Sequence, residues 1–108
     1  LFQGTTAKPS VELVRLTKDD WLTAMNALDQ AQTQPALEYI ALSQGDPTLA
    51  SRRALLEGRL MLIMGKPRAA EQAFSEAKDD VELRPQALHW LGAALYAIGN
   101  TQLAANYW

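Results

Sequence analysis

The sequence predicts an all-α chain, and three observations predict it. Prolines and glycines stand where helices begin and end, with Pro35, Pro47, Pro67 and Pro85 at starts and Gly45, Gly65 and Gly99 at stops. Between them apolar residues recur three or four apart, and no stretch shows sustained period-two alternation enriched in β-branched residues. The segment GRLMLIMGKPRAAEQAF, residues 58–74, is echoed 34 positions later by GAALYAIGNTQLAANYW, residues 92–108. Gly58, Gly65, Ala70 and Phe74 are answered by Gly92, Gly99, Ala104 and Trp108.

Each element has its own signal. Thr17-Lys18-Asp19-Asp20 is a helix start, because Thr17 can accept a backbone N–H and the acids sit where the helix dipole favours them. Trp21, Ala24, Met25 and Leu28 then give a helix over 18–31. Pro35 opens a second helix that carries Ala36, Leu37, Ile40 and Ala41 and ends at Gly45. Asp46-Pro47 starts a third, running to Met64. Gly65 supplies a left-handed stop. A fourth helix from Pro67 buries Ala70, Ala73, Phe74 and Ala77 before Lys78-Asp79-Asp80. A fifth spans Pro85 to Gly99, and a sixth runs about two turns to Trp108.

The 34-residue echo has a physical reading as a helix hairpin. A small residue at Gly58 and Gly92 admits the second helix of the hairpin, Gly65 and Gly99 make the turn, Ala70 and Ala104 sit at the crossing, and Phe74 and Trp108 fill the space beneath. A plain helical bundle with evenly spaced stops is the alternative. The pattern resembles the tetratricopeptide repeat, whose period is 34 and whose signature includes a Leu-Gly step and later small and aromatic positions. The fit is Leu88, Leu91-Gly92, Leu95, Ala104 and Trp108 over 85–108, and Ala54, Gly58, Met61, Ala70, Phe74 and Ala77 over 51–84. Glu57 departs from the leucine of the signature. Over 17–50 the fit is Trp21, Ala24-Met25, Leu28, Ala36 and Ile40, in a hairpin one residue shorter with methionine in place of glycine. The resemblance implies a right-handed superhelical stack of antiparallel hairpins, an α-solenoid of about two full repeats plus a partial third, with domain limits 17–108. Residues 5–16 are then an N-terminal linker. Leu1-Phe2-Gln3-Gly4 resembles a 3C-type protease site left by an expression tag.

Composition narrows the function. Ten basic against twelve acidic residues, with no Lys/Arg block, lack the footprint of a nucleic-acid binder. The chain has no cysteine, which removes thiolate metal sites and cysteine nucleophiles. Its most apolar run, Leu60 to Met64, is far short of the roughly 20 residues that span a bilayer. His89 is the only histidine, and no serine or acid beside it completes a catalytic pair. Asp19-Asp20 and Asp79-Asp80 read as helix-end charge, and Gly65-Lys66 lacks the other residues of a phosphate loop. No catalytic residue, cofactor or metal is expected.

The expectation is a non-enzymatic module that binds a partner protein or peptide. The resemblance places the first helix of each hairpin along a concave groove. It assigns Leu22, Thr23, Asn26 and Asp29 to that groove, then Arg52, Leu55, Leu56, Arg59, Leu62 and Ile63, then Gln86, His89, Trp90, Ala93, Tyr96 and Ala97. Asn26, Arg52, Arg59, His89, Trp90, Ala93 and Tyr96 are the chosen groove contacts, because aromatic rings and arginines grip an extended partner well. Leu55, Leu62 and Ile63 are expected to pack between hairpins instead. The positions of a carboxylate clamp hold Leu22, Asn26, Leu56, Gln86 and Trp90, which argues against capture of an acidic C-terminus. Leu95, Leu103, Tyr107 and Trp108 are expected to form an apolar end where two copies associate. Rival readings are a structural homo-oligomerisation domain and an RNA-binding helical repeat. Alanine- and glutamine-rich helices without cysteine are compatible with a bacterial envelope assembly such as a pilus or secretion system, in cytoplasm or periplasm.

Overall fold

The computed structural model describes residues 16–107; residues 1–15, where a tag remnant and most of a linker are expected, and Trp108 lie outside the described residues. Those residues form six α-helices with no strand among them: α1 Lys18–Asp29, α2 Gln34–Leu42, α3 Ala50–Ile63, α4 Pro67–Ala77, α5 Arg84–Ile98 and α6 Thr101–Ala105. A 3-10 turn, Pro47–Leu49, leads into α3. Each helix packs on the next, and α1, α3 and α5 also touch in succession.

Local chemistry sets the ends. Thr17 and Asp20 cap α1 reciprocally: the Asp20 N–H donates to Thr17 Oγ1 over 3.2 Å, and the Thr17 N–H donates to Asp20 Oδ2 over 2.8 Å. Asp46 accepts from the Thr48 N–H at 2.9 Å, but the residues it caps form the 3-10 turn rather than the first turn of α3. The C-terminal carbonyls of α2 and α4 are satisfied from the following helix. An Arg53 Nη donates to the Ser43 carbonyl, and Arg84 Nε to that of Lys78.

The three hairpin turns share one geometry. Lys66 N–H donates to the Met61 carbonyl and Asn100 N–H to that of Leu95, around Gly65 and Gly99 with φ of 75° and 101°. Gln32 N–H makes the same bond to Ala27, around Ala31 with φ of 59°. Residues 31, 65 and 99 are 34 apart, so the first turn keeps the full period. This corrects the shorter first hairpin expected from sequence. What hid the match is that an alanine occupies the left-handed position.

One continuous core runs through the molecule, with Trp21, Leu55, Leu56 and Phe74 fully buried. Burial of each such side chain contributes about 1.5–3 kcal/mol. Gly58 is what lets Phe74 in, since a Cβ there would overlap the phenyl ring. Gly92 and Ala104 are likewise buried in the third hairpin. On α2 the expected face is corrected. Ala36 and Tyr39 point inward, while Leu37 and Ala41 are exposed, because the buried stripe advances from 36 through 39 to Ser43 rather than spreading to its neighbours.

Candidate functional site

The residues expected to line a groove divide into two sets. The first forms an open cleft of about 330 Å³ at the N-terminal ends of α1, α3 and α5, lined by Lys18, Trp21, Leu22, Arg52, Glu82, Leu83 and Gln86. Three odd-numbered helices therefore begin side by side. Leu22, Arg52 and Gln86 were among the expected groove positions. Lys18, Glu82 and Leu83 were not, although each precedes such a position by about one turn. Trp21 makes the floor: it is buried and donates Nε1–H to the Arg52 carbonyl over 3.1 Å. The Arg52 guanidinium lies 5.9 Å from the Trp21 ring centre. Tyr39 lies close to Arg52; its hydroxyl is buried and makes no well-formed hydrogen bond, the Arg52 guanidinium being its one weak polar neighbour among the described residues. Burial raises the Tyr39 phenol pKa, and the nearby Arg52 pulls it back only in part.

The second set is a filled cluster. Arg59 is only 6% exposed, which corrects its expected place as an open groove contact. Its Nη2 donates to Asp29 Oδ1 at 2.6 Å and its Nη1 to the Met25 carbonyl at 3.1 Å. The guanidinium carbon stands 4.3 Å from the centre of the Trp90 ring. A buried guanidinium needs such company, because an unpaired charge out of water is costly. Trp90, half-buried, also stacks on Phe74 with centroids 6.5 Å apart and meets His89 edge-on at 5.3 Å. Arg59 thus joins α1, α3 and α5 through one side chain.

The remaining expected positions fall on either side of these two sets. Asn26, His89, Tyr96 and Ala97 are exposed, and Ala93 is half-buried. Leu55 and Leu56 are fully buried, Leu62 is half-buried against the core, and Ile63 is 45% exposed. At the far end Leu103 is exposed and Tyr107 half-buried, but Leu95 is only 4% exposed. Leu95 is therefore corrected from a candidate self-association residue to a member of the continuous core.

A second, shallow groove on the second hairpin is lined by Glu57, Met61, Gln72 and Glu76. Burial raises the Glu57 carboxyl pKa above its ordinary value; Arg53 opposes the rise and Glu76 adds to it. Among the described residues no three His, Cys, Asp or Glu side chains gather where they could hold a metal ion, and no helix is long and apolar enough to cross a membrane. Compared with models of protein families, with curated proteins and with solved structures, the chain matches none.

Proposed function

We propose that this chain is a tetratricopeptide-like interaction module that takes an extended partner segment across its odd-numbered helices, as part of a larger assembly. The observation that carries this reading is the cleft where Leu22, Arg52 and Gln86 come together from three helices. Leu22 and Leu83 offer apolar contact, Lys18 and Arg52 offer charge, and Gln86 can bond to a backbone. That mixture suits a peptide better than a small metabolite, which favours a more enclosed site. The 34-residue spacing of three like turns supports the repeat reading.

Selection of a displayed random-peptide library against the chain tests it. Selected peptides should share a motif, and their affinity should fall at least tenfold in Arg52→Ala and in Leu22→Asp. Met64→Gln, at the far hairpin turn, should leave affinity unchanged. If no selected peptide depends on Leu22 or Arg52, the cleft is not the binding surface.

A further inference from the structure

We infer that two copies of this chain pair through α4, packed antiparallel about Gln72, with Arg68 of each copy meeting Glu76 of the other. α4 packs on both α3 and α5, and a groove runs along each junction. The groove beside α5 is lined by Lys66, Pro67, Arg68 and Ile98, and the one beside α3 by Glu57, Met61, Gln72, Ala73 and Glu76, with Ala69 bordering both. The start of α4 is therefore basic, and the groove beside α3 carries two carboxylates. None of the Lys66, Arg68, Glu57 or Glu76 side chains makes a hydrogen bond or ion pair among the described residues.

The charges of α4 run against its own dipole. Its first turn has Arg68 and no acid, and its last turn has Glu76 and no base, whereas the dipole favours the reverse. A second copy laid antiparallel brings each of these charges beside its opposite. Arg68, Gln72 and Glu76 are exposed and four residues apart, so they share one face of the helix. In an antiparallel pair centred on Gln72, Arg68 faces the partner's Glu76 and Ala69 faces the partner's Ser75, so the ion pair forms twice about one two-fold axis. The small side chains of Ala69, Ala73 and Ser75 let the α4 ridge of one copy enter the groove beside α3 of the other. The partner's Arg68 then reaches the end of that groove where Glu57 and Glu76 lie near each other. Burial and Glu76 both oppose ionisation of Glu57 in the single chain, and a cation placed there offsets them. None of these residues lines the cleft of Leu22, Arg52 and Gln86, so the pairing is tested apart from peptide binding.

Sedimentation of the full chain should show a monomer–dimer equilibrium that about 1 M salt shifts toward monomer. Arg68→Glu and Glu76→Arg should each weaken the dimer by about tenfold, since each turns two attractive pairs into repulsive ones. Mixing the two variants should restore association as a heterodimer, because a glutamate then faces an arginine at both ends of the pair. The regained dimer also shows that both variants are folded. The chain has no cysteine, so Gln72→Cys sets a single thiol at the two-fold axis and should give a disulfide-linked dimer under mild oxidation. Gln86→Cys, in the cleft, should not. A chain that stays monomeric up to about 1 mM overturns the pairing, as does a mixture of the two variants that stays monomeric. Dimers that ignore residues 68 and 76 but are lost in Leu103→Asp overturn it too, and assign the interface to the C-terminal end instead.

Discussion

A Cβ atom on Gly58 would lie 2.7 Å from Cδ1 and 2.8 Å from Cζ of Phe74, so the glycine and the ring occupy one space between α3 and α4. Gly58→Ala gains about 1 kcal/mol of helix propensity and loses about 1–3 kcal/mol to overpacking. Thermal unfolding should show a net loss of stability, larger for Gly58→Leu. Gly92→Leu, buried one period later, should cost about 1–3 kcal/mol as well. Gly45→Ala, with open space around it, should change little.

Ala31 pays a conformational cost that Gly65 and Gly99 avoid at the equivalent turns. An L-residue in the left-handed region costs about 1–2 kcal/mol, and glycine returns about 0.4–1 kcal/mol of that through the freer unfolded chain. Ala31→Gly should therefore raise stability by about 0.5–1 kcal/mol in denaturant titration. Gly65→Ala and Gly99→Ala should lower it.

Glu57 should make stability depend on pH in the direction opposite to most carboxylates. Its pKa is raised in the native state, so the folded chain binds the proton more readily than the unfolded one. The resulting stabilisation is fully present below the ordinary value of 4.5 and is lost as pH rises through the raised native value. Glu57→Gln should be more stable than the parent at pH 7 and should flatten this part of the profile, as read by unfolding at a series of pH values.

Among the described residues the Tyr39 hydroxyl is buried without a well-formed hydrogen bond, with Arg52 as its near polar neighbour. Removing a buried hydroxyl that has only the weak contact with Arg52 relieves part of a desolvation cost of about 1–3 kcal/mol. Tyr39→Phe should be neutral or stabilising by up to about 1 kcal/mol, whereas Tyr39→Ala should cost about 3–5 kcal/mol through the cavity it leaves. Chemical denaturation of the two variants separates the hydroxyl from the ring.

Helix positions were legible because their signals are local. Thr17, Pro67 and Gly99 act on backbone groups within a turn of themselves, and the start of α1, the start of α4 and the end of α5 fall where those residues direct. The packing of Gly58 under Phe74 was legible from the period. The fate of Arg59 was not, because nothing in its neighbourhood along the chain names Asp29, 30 residues earlier, or Trp90, 31 later. An arginine on an inner face reads as an open contact until the residues that enclose it are known. Lys18 and Glu82 were missed for a related reason: the cleft lies at helix beginnings, where repeat positions are not yet counted. On α2, Leu37 read as core because hydrophobicity was weighed without phase.

The arginines of α3 also bear on the order in which the chain is made. Arg53 supplies the cation at the carbonyl end of α2, and Arg59 supplies it near the end of α1, where neither helix has a basic residue of its own in the last turn. The hairpin of α1 and α2 thus depends at its helix ends on residues of α3, which are translated after it. Its two short helices must wait for α3 before their ends are satisfied, and the tightest packing, among α3, α4 and α5, follows later still. Synthesis delivers α1 and α2 before the helix that completes their ends.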